Sequence, residues 1–281
     1  LQKNELANES ELFIYSDAPK NETALEKVKE VRKYIKTITG FKKITIIERD
    51  KNWGLANSII DGVTKIVNEY EKIIVMEDDL ITSPFFLKYM NESLEFYKHH
   101  EKVWHISGWN YPLNVKSEKE VFLWRAMNCW GWATWKNRWN HYKKDIDWVM
   151  KVFSKKDMYN FNLEGTHNFW KQVIDNKNKK INTWAIFWYA TIFKNKGLCL
   201  NPINSLVNNI GNDGSGTNCD KNENFNSILN NKKIQIFTNN IIEDTNIFDL
   251  IKKNYKVQNK NLILKIINKI SRIILGKNLI K

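Results

Sequence analysis

Residues 12–16 read Leu-Phe-Ile-Tyr-Ser and are closed by Asp17, Ala18 and Pro19, the pattern of a buried strand running into a loop. Leu25, Val28, Val31, Ile35 and Ile38 follow at helical spacing and predict a helix over residues 22–37 that packs through this face and is stopped by Gly40. Residues 44–48 (Ile-Thr-Ile-Ile-Glu) predict a second strand. After a loop over residues 49–54, Leu55, Ile59, Val63, Ile66 and Val67 mark one face of a second helix. Residues 72–76 (Lys-Ile-Ile-Val-Met) predict a third strand, which runs into Glu77, Asp78 and Asp79. Ser83 and Pro84 then supply an N-cap and a first helical residue for a helix carrying Phe86, Met90, Leu94 and Tyr97.

Strands that alternate with helices, and that are apolar throughout rather than at every second position, predict an α/β fold with a mostly parallel, Rossmann-like sheet covered on both faces. Ligands of such sheets bind at the carboxyl ends of the strands, and here those ends carry Asp17, Asp50 and the 77–79 triplet. Residues 1–8 read as the tail of a helix, which implies a unit whose leading strand is missing from this sequence. Beyond residue 217 the text becomes rich in Asn and Lys. Residues 262–275 then set Ile263, Ile266, Ile267, Ile270, Ile273 and Ile274 among Lys265, Lys269 and Arg272, a basic amphipathic helix. It serves either to pack on the main domain or to lie on an anionic membrane surface. The expected organisation is therefore a domain over residues 1–219, divided into a nucleotide-binding half (1–100) and an acceptor-binding half (101–219), and a C-terminal extension over 220–281.

Composition narrows the function classes. The 281 residues, 42% of them hydrophobic, suffice for a large core and exclude a disordered tail protein. A net charge of +13 would suggest nucleic acid, but only five of the 44 basic residues are Arg. The aromatic residues also sit in apolar Trp-Gly contexts rather than between lysines, unlike a base-stacking platform. No nucleic-acid partner is expected. Eleven of the 12 Trp fall between Trp104 and Trp188, to be read either as a Trp-rich core or as a ring platform for the apolar faces of sugars. Cys129, Cys199 and Cys219 lack disulfide or zinc-ligand spacing and suit a reducing compartment. No run of about 18 apolar residues predicts a membrane span and the opening text does not read as a leader, so the expected location is the cytoplasm.

Three consecutive carboxylates at a strand end repel one another unless a cation neutralises them. Mg²⁺ or Mn²⁺ held by one or two of them keeps positions open for phosphate oxygens and offsets charge on a departing diphosphate. Residues 211–217 (Gly-Asn-Asp-Gly-Ser-Gly-Thr) suit a loop that closes on a phosphate-bearing ligand, or an ordinary surface loop. His99 and His100 fit a helix end and His105 a satisfied core position, while His167 is an acceptor-contact candidate.

Five segments follow one another in order. They are Asp50-Lys51-Asn52-Trp53-Gly54-Leu55-Ala56-Asn57-Ser58, Glu77-Asp78-Asp79-Leu80, Ser107-Gly108-Trp109, residues 129–135 (Cys-Trp-Gly-Trp-Ala-Thr-Trp) and residues 209–217 (Asn-Ile-Gly-Asn-Asp-Gly-Ser-Gly-Thr). Together, over roughly residues 1–219, they resemble bacterial glycosyltransferases of the GT-A, nucleotide-diphospho-sugar transferase fold, similar in plan to the Golgi N-acetylglucosaminyltransferases.

The resemblance implies a metal-dependent, inverting transfer of a sugar from a nucleotide-diphosphate donor, a UDP-sugar by the position of Asp50 near the base. The acceptor it implies is a growing cell-surface or lipid-linked glycan at the inner face of the cell membrane. It assigns Asp79 as a direct metal ligand, Glu77 and Asp78 to ribose or metal-bound water, and Asp78 as a further metal ligand. Asp17, Gly214 and Ser215 join the donor site, Trp109, Trp130 and Trp132 the wall of the sugar and acceptor pocket, and the Gly-rich segment the closing loop. Relatives carry an Asp where this chain has Asn182, which leaves Asp175 and Asp213 as the candidates for the base. Competing readings are phosphoester hydrolysis at the same acidic strand end and a non-catalytic glycan- or anion-binding module.

Overall fold

The structure is a computed structural model and describes residues 1–113, 115, 117–211 and 228–257. The first strand–helix–strand unit follows the sequence pattern closely. Strand β1 (Glu11–Ser16) leads into helix α1 (Glu22–Ile35) and back into β2 (Lys43–Glu48), which pairs with β1 in parallel from Glu11↔Lys43 to Ser16↔Glu48. Asn21 starts α1 by accepting the N–H of Ala24 at 3.1 Å. Helix α2 (Gly54–Tyr70) then crosses to β3 (Lys72–Val75).

The face expected to bury α1 is largely open. Ile35 is buried, but Leu25 and Val31 are 38% and 54% exposed. The sheet beneath explains this, since β1 and β2 form a two-stranded sheet of their own and give a 14-residue helix little to cover.

The expectation of a mostly parallel sheet is corrected. Strand β3 is the edge of a mixed five-stranded sheet with β5 (Val103–Ser107), β6 (Val121–Trp124), β7 (Trp132–Trp135) and β8 (Leu198–Pro202), in the order β3-β7-β5-β8-β6. In it β5 and β8 run parallel, whereas β3–β7, β7–β5 and β8–β6 are antiparallel. Every residue of β5, β6 and β7 is buried. Continuous apolar text thus reported burial on both faces, which does not depend on strand direction. The fold is α/β.

A short antiparallel pair, β4 (Leu80–Thr82) with β9 (Val207–Asn209), sits beside this sheet. Helix α3 begins later than Ser83 and Pro84 suggest, at Phe86, and ends at Phe96. Ser83 Oγ accepts the N–H of Phe85 at 3.3 Å in a turn ahead of it, and Asn4 Oδ1 accepts that of Leu87 at 3.1 Å. A residue 83 positions earlier therefore does the capping. Around Asn4 the chain forms turns and a 3-10 stretch (Ala7–Glu9) in place of the expected helix tail.

Helices α4 (Lys136–Trp139), α5 (Ile146–Val152), α6 (Lys155–Phe161), α7 (Trp170–Lys177) and α8 (Ala185–Lys194) complete the second half. Its core is aromatic. Trp132 stacks on Trp184 and His105 at 5.1 and 5.3 Å, and Trp188 is fully buried. The described part of the expected extension packs into this same core through Ile234, Ile247, Phe248, Ile251 and Tyr255, the last four in or beside a helix over residues 245–257. The segment 262–275 lies outside the described residues. Among the described residues, no helix is long and apolar enough to cross a membrane.

Candidate functional site

The acidic triplet occupies the turn between β3 and β4. Strand β3 ends at Val75, opposite Trp132, where its antiparallel partner β7 begins, and after the turn Leu80 pairs with Asn209. The three carboxylates are treated unequally. Asp78 is exposed. Glu77 is half-buried, and its carboxyl is pushed up to about 7, by burial first and then by the charges of Asp79 and Asp78. Asp79 is gripped by the β4–β9 pair: its backbone carbonyl accepts the N–H of Ile210 at 2.9 Å and its Oδ2 accepts Asn209 Nδ2 at 3.1 Å. Its other oxygen, Oδ1, is buried and has no hydrogen-bond partner among the described residues.

A buried carboxylate oxygen left bare is costly unless something electropositive meets it. In that sense the residues fit a divalent cation, which Asp79 and the exposed Asp78 would hold. Among the described residues, no three His, Cys, Asp or Glu side chains converge as a self-sufficient metal cage.

Asp17 and Asp50 are brought to one end of the β1–β2 pair, as expected, and then part in role. The Asp17 carboxylate accepts the N–H groups of Trp53 at 2.9 Å and Gly54 at 2.8 Å, and so holds the positive end of α2. Its lone pairs are committed to the fold. Asp50 is exposed at the carboxyl end of β2. Beside it Arg49 is buried between the rings of Trp53 and Tyr15, at 3.9 and 5.1 Å, and pairs with Asp61. Sequence reading gave no sign of this cation.

The expected Trp wall shrinks to one ring. Trp109 and Trp132 are 3% and 0% exposed and belong to the core. Trp130 is half-buried and meets Trp109 edge-on at 4.7 Å, so it alone of the three presents surface. The glycines adjoining these tryptophans serve packing: a Cβ on Gly108 would fall 2.6 Å from the Phe86 ring, and Gly131 faces the same ring.

His167 is packed between Phe169 and Tyr255, at 4.3 and 4.6 Å, and burial lowers its pKa. Asp175, on α7, is ion-paired with Lys171 one turn earlier. Asn182 receives a hydrogen bond from Lys144. Asp213, Gly214 and Ser215 lie outside the described residues, as does Cys219. An open groove of about 570 Å³ between the β1–β2 face and α2 contains none of the expected site residues.

Asn209 is the site residue that sequence reading passed over. It opens the Gly-rich text, but nothing local links it to a carboxylate 130 positions earlier. No family model matches the chain, and no curated protein matches it.

Proposed function

We propose that the protein is a metal-dependent, inverting glycosyltransferase of the GT-A plan that moves a sugar from a nucleotide-diphosphate donor, a UDP-sugar, to a cell-surface or lipid-linked glycan. The observation that carries this reading is Asp79, one oxygen held by Asn209 and the other buried and bare, in the turn after a strand where the resemblance expects a metal-binding aspartate. Asp79 and Asp78 would hold Mn²⁺ or Mg²⁺, and such an ion supplies positive charge for the diphosphate leaving group. Asp50, exposed at the end of β2, is free to accept the N3 proton of a uracil ring. Trp130 offers a partly exposed indole ring for the apolar face of a sugar.

Asp175, paired with Lys171, and Asp213 remain the two candidates for the carboxylate that takes the acceptor proton. Work on a lipid-linked acceptor would place the protein at the inner face of the membrane, with residues 262–275 against anionic lipid.

Calorimetry with UDP tests the reading. Binding is expected to require Mn²⁺, to vanish with Asp79→Ala, and to weaken by about 1–3 kcal/mol with Asp50→Asn, the range of a charge-assisted hydrogen bond. Sugar transfer at full rate in chelator overturns the metal role. Failure to bind any nucleoside diphosphate overturns the transferase reading, and donor binding without turnover on any glycan would favour the non-catalytic module, a reading to which the loss of a carboxylate at Asn182 belongs.

A further inference from the structure

Asn209 is 1% exposed, and both ends of its side-chain amide are in use. Nδ2 donates to Asp79 Oδ2 at 3.1 Å, while Oδ1 accepts the N–H of Gly211 at 2.7 Å. The strands around it are joined without the side chain, by the Leu80↔Asn209 pairing and by the N–H of Ile210 donating to the carbonyl of Asp79. What the amide adds is a link between the Asp79 carboxylate and the chain entering residues 211–217.

We infer that Asn209 is a positioning residue for cation binding: it fixes Oδ2 of Asp79, so that Oδ1 is the oxygen presented to the ion, and ties that orientation to Gly211. The inference rests on the reading of this site as cation-binding. An amide is the side-chain group suited to the task, because it donates to a carboxylate and accepts a backbone N–H at once. Aspartate in its place would offer no N–H and would set a second carboxylate against that of Asp79. Gly211 completes the device. A Cβ there would fall 2.5 Å from Asp79 Oδ2, so any larger residue displaces the oxygen that Asn209 holds.

The test is Mn²⁺ binding to the whole chain without donor, followed by the electron paramagnetic resonance signal of the free ion, with thermal melting in metal-free buffer to establish folding. Asn209→Leu keeps the branching at Cγ and removes both hydrogen bonds. It is expected to weaken Mn²⁺ binding about 10- to 100-fold, the usual effect of removing a partner that orients a ligand. Gly211→Ala, which disturbs the same oxygen from the other side and leaves the β4–β9 pairing intact, is expected to act in the same direction.

Unchanged Mn²⁺ affinity in folded Asn209→Leu, or in Gly211→Ala should the first not fold, overturns the positioning role, and the cation reading survives if Asp79→Ala still loses the ion. Mn²⁺ binding that ignores Asp79→Ala overturns the cation reading and this inference together.

Discussion

The carboxylate of Asp17, at the end of β1, accepts the N–H of Gly54, the first residue of α2, at 2.8 Å. A residue expected to contact a nucleotide is thereby a fastener between the first strand and the second helix. Asp17→Ala is expected to lower stability by about 1–2 kcal/mol, the cost of an N-terminal cap. Chemical denaturation would show it, and nucleotide affinity measured well below the transition should change little. A large loss of nucleotide affinity at unchanged stability would return Asp17 to the donor site.

Trp130 and Trp132 flank one glycine and are expected to separate cleanly. Trp132→Ala removes a ring stacked on Trp184 and His105 in the core and should cost about 3–5 kcal/mol. Trp130→Ala should cost far less and instead raise the KM for acceptor. Equal losses of melting temperature in the two variants would remove Trp130 from the acceptor wall.

Gly108→Ala sets a methyl group 2.6 Å from the Phe86 ring and 2.9 Å from Val207. Both neighbours are fully buried and cannot retreat, so the expected loss is about 1–3 kcal/mol, as for an overpacked core. An alanine variant as stable as the parent would show that the Ser-Gly-Trp segment is held for a reason other than packing.

His105 makes stability depend on pH. It is fully buried, its Nε2 faces the carbonyl of Asn128 at 2.9 Å, and its Nδ1 accepts the Trp188 indole N–H at 3.2 Å. Burial lowers its pKa to about 3, against the hydrogen bond to Asn128, which acts the other way. The unfolded chain binds a proton near pH 6.5 and the folded chain only near 3, so this group's contribution is whole above 6.5 and is lost as pH falls between those values. The slope it adds is at most about 1.4 kcal/mol per pH unit. Urea midpoints from pH 7 down to 4 measure it, and His105→Asn should flatten the profile while lowering it throughout. An unchanged slope in that variant would assign the acid sensitivity to other groups.

The strand–helix–strand unit of β1, α1 and β2 was legible because its signals are local. Apolar runs closed by Asp17-Ala18-Pro19, a cap at Asn21 and helical spacing all act within a few residues, and a parallel crossover between such strands has essentially one solution. The α/β class and the acidic turn after β3 were legible for the same reason. Strand direction in the larger sheet was not. Trp132–Trp135 is apolar because both its faces are covered, and the antiparallel insertion of β7 between β3 and β5 is settled by which edges meet in space.

Site chemistry divides along the same line. The residue types at positions 77–79 announce crowded negative charge wherever the chain folds them, since neighbours along the backbone cannot escape one another. Which oxygen stays bare depended on Asn209 arriving from a strand 130 residues away, and which tryptophan keeps a surface depended on how the rings of Trp109, Trp130 and Trp132 packed. The sequence by itself therefore determined the element types and the store of reactive groups, because propensity, capping and charge repulsion are short-ranged. The tertiary structure alone decided that Asp17 is a cap and that Asp79 Oδ2 is held by Asn209. Hydrogen-bond partners and burial are properties of contacts between distant segments, and no local pattern encodes them.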